Sequence, residues 1–261
     1  MTSVPGEQRF LEQRAQPIQQ LLREWPPGYG GVERVAHELA MVWGGTVWSL
    51  DAQDRCLSEK DAIAVHYPRR RLARTSPLGR LVLPLPSAGL WSLLRSEEPL
   101  HGHLPSIGVL LVLLFARLVR PRRRVTAHWH FFFEPASGLK GRFFIAYQWL
   151  ALTVVSLLSG VITTSPLLKD ELVRCGCRSE RVAVLPCCLS HDQEAAALVA
   201  PRSSLQKQAT PVMRVLFIGR LGSYKRLDWL LKSLASVESS WSLDVVGDGP
   251  RRADFEALSN Q

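Results

Sequence analysis

The sequence predicts an α/β fold of doubly wound, Rossmann-like parallel sheets, with one near-complete domain and the first part of a second. Short apolar or β-branched strands alternate with amphipathic helices, which is typical of a parallel sheet with crossover helices. The 261 residues are 46% hydrophobic and 21% charged, so wholesale disorder and a multi-span membrane protein are excluded. The alternation pauses in a polar stretch and restarts near residue 211. We predict a first domain at 1–189, a linker at 190–211 with one loose helical turn, and a partial second domain at 212–261.

The first helix and its flanking strand follow from spacing and turn residues. A Pro/Gly-rich loop at 25–31 leads into the helix, and Gly44-Gly45 ends it before a predicted strand at 46–50. Another strand is predicted at 125–128. The apolar residues of the helix recur at helical spacing: Val32, Val35, Ala36 and Leu39.

The stretch 143–168 contains no charged residue and is long enough to span a bilayer. The turn, cap and β-branched residues inside this stretch favour buried α/β structure instead. We predict a helix at 143–158 that Gly160 terminates in the left-handed conformation, then a strand at 161–164. Ser165-Pro166 supplies an N-cap and a first-turn proline for a helix at 167–173. The apolar run 107–119 is likewise predicted as a helix of the fold, one that can still rest on a membrane surface through the arginines after Pro121.

The second domain begins with a strand at 214–218, a loop at 219–225 and a helix. A further strand is predicted at 241–246, closed by Gly247-Asp248-Gly249-Pro250. The core face of the helix is marked by leucines at helical spacing: Leu227, Leu230, Leu231 and Leu234.

The chain is basic, with a formal net charge of +9 that arises from an excess of arginine. Arginines cluster at 69–74 and 117–124, and such a face attracts nucleic acid, phosphorylated ligands or an anionic membrane, unless it serves only solubility.

The N-terminus has no signal-peptide pattern, so a cytoplasmic location is expected. The clustered cysteines are predicted to be small buried hydrophobic residues at a strand end rather than zinc ligands: Cys175, Cys177, Cys187 and Cys188.

Two glycine-containing loops are candidates for phosphate binding. Gly30 and Gly31 lie at a strand-to-helix turn, where backbone N–H groups and the helix N-terminus suit an anion, although a purely structural turn explains them equally well. The second loop places Arg220 and Lys225 at its two ends, again between a strand and a helix. A planar guanidinium and a point-charge ammonium there are a suitable pair for a diphosphate.

Four histidines alternate near the predicted strand ends, where open α/β folds place ligands. His128 and His130 follow one strand, and His101 and His103 lie near the end of an earlier one. Two such pairs also suggest a metal site, but no carboxylate lies close in sequence to complete the ligand set.

Three segments together resemble the family 4 glycosyltransferases of the two-domain GT-B type. The first is Pro26 to Arg34 with His37-Glu38-Leu39-Ala40, and it is similar to the family's first loop and helix. The second is 161–165 with 182–186, which is similar to the close of the N-terminal domain. The third and most specific is 217–225 with 246–250, which is similar to the opening of the C-terminal domain.

The resemblance implies retaining transfer of a sugar from a nucleotide-diphosphate donor to an acceptor hydroxyl, with no bound metal and no other cofactor. Arg220 and Lys225 would hold the diphosphate, and Gly30 and Gly31 would bring backbone N–H groups to the cleft. His128 matches the histidine that lines the family's reaction centre. Further cleft residues would be His130, Gly219 and Gly249. The partners implied are a nucleotide sugar and a glycan or lipid-linked acceptor of cell-surface synthesis, with peripheral contact to the inner face of the membrane and no specific nucleic acid.

The sequence departs from the family after Gly249-Pro250. The Glu-x(7)-Glu motif that binds donor sugar and ribose does not follow, and Glu256 stands alone. We therefore expect a truncated form that is inactive by itself and poorly soluble. A sugar-nucleotide epimerase of the same architecture and a non-catalytic basic protein that binds membrane surfaces or nucleic acid are the alternatives. The donor sugar, its base and the acceptor do not follow from the sequence.

Overall fold

A computed structural model describes residues 17–24, 30–50, 66–72, 75–78, 81–133, 138–187, 191–199 and 212–259. The chain divides into two compact units, Met1–Ala195 and Ala196–Gln261. No helix within these ranges combines the length and the hydropathy needed to cross a bilayer.

The first unit is built on a seven-stranded parallel sheet of order β3-β2-β1-β6-β7-β8-β9, with a separate antiparallel hairpin formed by β4 and β5. The strands in chain order are β1 (Gln19–Leu22), β2 (Val47–Ser49), β3 (Arg69–Arg71), β4 (Thr75–Leu78), β5 (Leu81–Pro84), β6 (Leu100–Leu104), β7 (Val125–Trp129), β8 (Gly160–Thr163) and β9 (Val182–Val184). The α/β class predicted from the sequence is confirmed.

Among the described residues, five α-helices and a 3₁₀ turn at Ser179–Arg181 accompany these strands in the first unit, and a sixth α-helix crosses the boundary between the two units. The helices are α1 (Gly31–Trp43), α2 (Ala88–Arg95), α3 (Ile107–Val119), α4 (Gly138–Ser156), α5 (Pro166–Arg174) and α6 (His191–Val199).

Local capping explains why α5 begins where the sequence predicts. The hydroxyl of Ser165 accepts a hydrogen bond from the Leu168 N–H, and Pro166 occupies the first turn, where its missing N–H costs nothing.

Three predictions about residues 160–199 are wrong. Gly160 does not terminate α4 in the left-handed conformation, because it pairs with Thr126 and begins β8. The predicted linker begins with a nine-residue helix, α6, rather than a loose turn, while residues 200–211 lie outside the described ranges. Of the cysteines, Cys177 is buried but Cys175 and Cys187 are exposed. Cys175 is exposed because it is the C-cap of α5. Cys188 is not among the described residues.

The two faces of the sheet have different cores. Leu113 of α3, Val155 of α4 and Trp129 of β7 belong to the large cluster on one face. A smaller cluster, which includes Leu22 of β1 and Ala36 of α1, covers the other face. In the sheet order, β2 and β3 lie on one side of β1 and β6 to β9 on the other, so the strand order reverses between β1 and β6. Ligands of open α/β sheets bind at the carboxyl ends of the strands at such a switch point.

The second unit is a parallel pair of strands with two α-helices among its described residues. They are β10 (Met213–Ile218), α7 (Leu227–Ala235), β11 (Trp241–Val246) and α8 (Arg252–Ser259), with a 3₁₀ turn at Ser223–Lys225. Leu221, Leu227 and Phe255 form its core. The predicted strands and the helix with its leucine face are confirmed.

Candidate functional site

Four histidine rings gather at the carboxyl ends of β6 and β7, beside the switch point. His103 pairs with His128 in the parallel ladder, and His101 lies two residues before His103 on the same face of the sheet. His130 follows β7 by one residue. Because side chains alternate across a strand, the spacing of two residues in each pair brings all four rings together.

The rings are packed against one another. His128 and His130 stack with their centroids 4.2 Å apart and their planes 5° from parallel, and His103 stacks on His130 at 5.4 Å. His101 meets His103 edge to face at 5.2 Å. The stack runs from buried His128 to His130, which is partly exposed.

A hydrogen-bond chain assigns the protons of two of these rings, His103 and His130. His103 Nε2 lies 3.0 Å from Gln20 Oε1, and His103 Nδ1 lies 3.1 Å from His130 Nε2. Since the amide oxygen of Gln20 only accepts, the network assigns the His103 proton to Nε2 and leaves Nδ1 to accept from the Nε2–H of His130. His130 is thereby assigned a lone pair on Nδ1.

Burial keeps these imidazoles neutral. It lowers the pKa of His128 to about 4, and burial followed by the charge of His128 lowers the pKa of His130 to about 3. The pKa values of His101 and His103 are held well below the usual 6.5, mainly by burial and to a smaller extent by charge repulsion from the neighbouring histidines. At neutral pH these uncharged rings can therefore donate or accept hydrogen bonds, and they resist protonation.

Three of these residues, His101, His103 and His128, offer nitrogen atoms within 4.8 Å of one another. Neutral imidazole is a ligand for zinc and other transition metals. Both nitrogens of His103 already have hydrogen-bond partners, and Nδ1 of His101 lies 2.8 Å from the Thr126 hydroxyl. A metal ion would have to displace a bond of His103, so the present arrangement favours the hydrogen-bonded stack.

The glycines of the first candidate loop lie at the start of α1. Gly30 is its N-cap and Gly31 its first residue, and both are exposed. A side chain on Gly30 would collide with the Glu33 carboxylate, whereas a Cβ on Gly31 would meet nothing within 4 Å. An acidic residue in the first turn already interacts favourably with the helix dipole. Residues 25–29 of this loop are not described.

Two loops of the second unit approach each other at backbone level. The Gly219 N–H donates to the Val246 carbonyl at 3.0 Å, and the Leu221 N–H donates to the Asp248 carbonyl at 2.9 Å. A Cβ on Gly249 would lie 2.7 Å from the Leu221 nitrogen, so only glycine fits there. These contacts fix the loop that carries Arg220 at the carboxyl end of β10.

Both cations of that loop lie in the segment that follows β10. Arg220 is exposed. The Cδ and Cε atoms of Lys225 lie 3.9 Å from the position that a Cβ on Gly219 would occupy. Lys225 occupies the 3₁₀ turn that precedes α7. The loop thus presents a guanidinium and an ammonium near the N-terminus of a helix, an arrangement suited to a diphosphate.

The sequence profile of Glycosyltransferase Family 4 matches residues 29–193, which is more than half of the chain. The chain belongs to Glycosyltransferase Family 4. The match begins beside Gly30 and includes all four histidines of the stack.

Solved structures are similar to this family member in fold. The apo form of a lipopolysaccharide outer core galactosyltransferase, WaaB, has a TM-score of 0.57 at 13% identity over 93% of this chain. Anabaena Alr3699/HepE in complex with UDP and glucose has a TM-score of 0.61 at 18% identity over 94% of this chain. With the parallel sheet, these likenesses show a fold of the GT-B glycosyltransferase type. The chain spans 64% and 65% of the lengths of these two proteins, and no curated protein matches its sequence.

The structure assembles the predicted site residues of this family member in two groups. His128 and His130 lie together in the first unit, with His101 and His103 added to them. The loops of the second unit hold Arg220, Lys225, Gly219 and Gly249. Their roles stay predictions, as do those of Gly30 and Gly31.

Gln20 is the site residue that sequence reasoning missed. It is completely buried in β1 and bonds to His103, 83 positions away in the chain. Two glutamines inside a short apolar strand, Gln19-Gln20, were the available signal, because a buried amide needs a hydrogen-bond partner.

Proposed function

We propose that this protein is a retaining glycosyltransferase that transfers a sugar from a nucleotide-diphosphate donor to an acceptor hydroxyl. Membership of Glycosyltransferase Family 4 supports the reaction class. The observation that carries the donor assignment is the backbone pairing of two loops in the second unit, one of which contains Arg220 and Lys225. Anabaena HepE, which has a similar fold, forms a complex with UDP-glucose, and this supports a donor of the same class here.

Arg220 and Lys225 act on the diphosphate. The guanidinium binds two phosphoryl oxygens with parallel N–H bonds, and the ammonium neutralises a further charge. When the bond from the sugar to the diphosphate breaks, negative charge develops on the leaving oxygen, and these cations stabilise it. Because the loop is fixed by backbone contacts, its cations need little rearrangement during the reaction.

The stacked histidines serve the acceptor side. His128 is the predicted catalytic residue, and His130 is the member of the stack that reaches the surface. The hydrogen-bond assignment leaves a lone pair on Nδ1 of His130, which accepts a hydrogen bond from an acceptor hydroxyl. A low pKa keeps this imidazole free of a competing proton at neutral pH.

The proposal includes no metal or other cofactor in the transfer step, since two cations already neutralise the diphosphate. The acceptor is a glycan or a lipid-linked glycan of cell-surface synthesis. A cytoplasmic enzyme at the inner face of the membrane fits such an acceptor.

The test uses UDP-glucose as the donor probe and follows UDP release together with the anomeric configuration of the product by NMR. A product with the donor's α configuration, formed at the same rate in the presence of EDTA, supports the proposal. An inverted product, or a donor that is epimerised in the absence of acceptor, contradicts it. Loss of turnover in EDTA contradicts the metal-independent step alone.

A further inference from the structure

Helices α3 and α4 lie side by side on one face of the sheet. They connect β6 to β7 and β7 to β8, and right-handed crossovers between neighbouring parallel strands place their helices on the same face. Their inner sides share one core, which includes Val112 and Leu113 of α3 and Ala151 and Val155 of α4.

The outer sides of both helices are apolar as well. On α4, Leu139 is 84% exposed and Trp149 is 70% exposed, and on α3, Leu118 is 64% exposed. An α-helix on a protein surface ordinarily turns polar residues outward, so this pattern requires a covering partner. The outward side chains form what we call the apolar face: Phe115, Leu118, Val119, Leu139, Phe143, Ile145, Trp149, Leu150 and Leu157.

The charged residues within α3 and α4 have one sign. The nineteen residues of α4 contain Lys140 and Arg142 as their only charged residues, and the thirteen of α3 contain only Arg117. Arg122 and Arg124, in the turn after α3, are exposed. An isologous contact between two copies would place cations against cations, whereas an anionic lipid surface complements them.

We propose that the apolar face docks on an anionic lipid bilayer, with α3 and α4 lying along the surface. Their outward aromatic and aliphatic side chains enter the boundary between headgroups and acyl chains, and the arginines contact lipid phosphates. The inner sides remain packed on the sheet, so the helices lie on the membrane and do not cross it.

The apolar face is continuous with the histidine stack. Phe131, which follows His130, is half exposed, and its ring centroid lies 5.7 Å from that of Phe133. The ring centroids of Phe133 and Phe144 of α4 are 4.9 Å apart. Phe144 in turn contacts Phe143. Docking therefore brings His130 close to the lipid surface. If His130 binds the acceptor, as the proposed function states, docking selects acceptors that are anchored in the membrane.

Vesicle flotation of the full chain tests the docking. The vesicles contain either phosphatidylcholine alone or equal parts of phosphatidylcholine and phosphatidylglycerol. We expect flotation with the anionic vesicles and little with the neutral ones. The double variant Leu139→Gln/Trp149→Gln should bind at least about tenfold more weakly, because it removes two inserting side chains.

The matched control is Leu167→Gln/Trp229→Gln, which changes a leucine and a tryptophan of similar exposure, 72% and 61%, outside the apolar face. The control should float like the unmodified chain, and thermal unfolding should show that both double variants are folded.

Unchanged flotation of Leu139→Gln/Trp149→Gln, or failure of the unmodified chain to float, overturns the proposal. A dimer in sedimentation that this variant dissociates overturns it too, in favour of a second copy. UDP binding, measured in parallel, tests the donor assignment separately.

Discussion

His103 Nδ1 lies 3.1 Å from Nε2 of His130, and this contact joins β6 to the segment that leaves β7 at the carboxyl edge of the sheet. Gln20 of β1 holds the other nitrogen of His103. β1, β6 and the segment after β7 are thus connected by one short chain of hydrogen bonds. The chain determines which nitrogen of His130 is free to accept a hydrogen bond from a ligand.

Replacement of Gln20 by leucine should break this chain at its start. The Nε2–H of His103 would lose its acceptor in a buried site, which costs about 1–3 kcal/mol of unfolding free energy. Urea denaturation measures the loss, and nitrogen chemical shifts of the His130 ring should show a change of tautomer. Equal stability and an unchanged tautomer would show that the chain does not control His130.

Acid should destabilise the first unit in a defined pH range. The pKa values of His128 and His130 are lowered on folding, to about 4 and about 3, chiefly by burial, from an unfolded value near 6.5. Between these values the unfolded chain binds more protons than the folded chain, so stability is complete above pH 6.5 and falls as the pH decreases. Each buried histidine contributes a slope of about 1.4 kcal/mol per pH unit.

Urea midpoints at neutral pH and at pH values below 6.5 measure this slope. His128→Leu should reduce it, because an apolar side chain removes one proton-binding site from the unfolded chain. A slope that is unaffected by this substitution would contradict the assignment of the acid sensitivity to the stack.

The Gly249→Ala substitution should distort the loop that carries Arg220. Its Cβ would lie 2.7 Å from the nitrogen and 2.8 Å from the carbonyl carbon of Leu221, so the backbone must move at a cost of about 1–3 kcal/mol. We expect lower thermal stability of the second unit and weaker UDP binding. Gly31→Ala is the control, since its Cβ meets nothing within 4 Å and should leave stability unchanged or slightly higher. Wild-type behaviour of Gly249→Ala would refute the close approach of the two loops.

Arg123 differs from its neighbours in the arginine cluster. Its side chain is buried and donates to the carbonyls of Glu98 and Leu93, each at 2.7 Å. Arg123→Met should therefore cost about 2–3 kcal/mol of unfolding free energy, because two buried carbonyls lose charged donors. Arg122→Met, at an exposed position, is the matched control and should change stability by no more than about 0.5 kcal/mol. Similar values for the two variants would contradict a structural role for Arg123.

Local signals in the sequence were sufficient for the elements with clear caps or turn residues at their ends. Ser165-Pro166 marks the start of α5 because a cap and a proline act within one turn, and the strand Trp241–Val246 is bounded by turn residues. The convergence of the histidines was predictable in part, since two pairs with a spacing of two residues must share a sheet face.

Long-range contacts account for what the sequence did not reveal. The buried state of Arg123 depends on carbonyls 25 and 30 positions away, so it was predicted to belong to a basic surface. The uncharged stretch 143–168, which contains most of α4, was predicted to be buried, and the prediction is wrong for the outer side of that helix. An apolar residue on both sides of a helix gives no periodic signal that separates a core-facing side from an exposed one.

Isothermal titration of the full chain with UDP tests the central claim, that Arg220 and Lys225 bind the diphosphate of a sugar donor. The account predicts measurable binding that Arg220→Ala weakens roughly 10- to 100-fold, as expected for loss of a charge-assisted hydrogen-bond pair. Arg214→Ala is the control, because Arg214 lies near the opposite end of β10 and pairs with Asp244 at 3.4 Å. Equal UDP affinity in Arg220→Ala and the unmodified chain, or no binding by the unmodified chain, would contradict the claim.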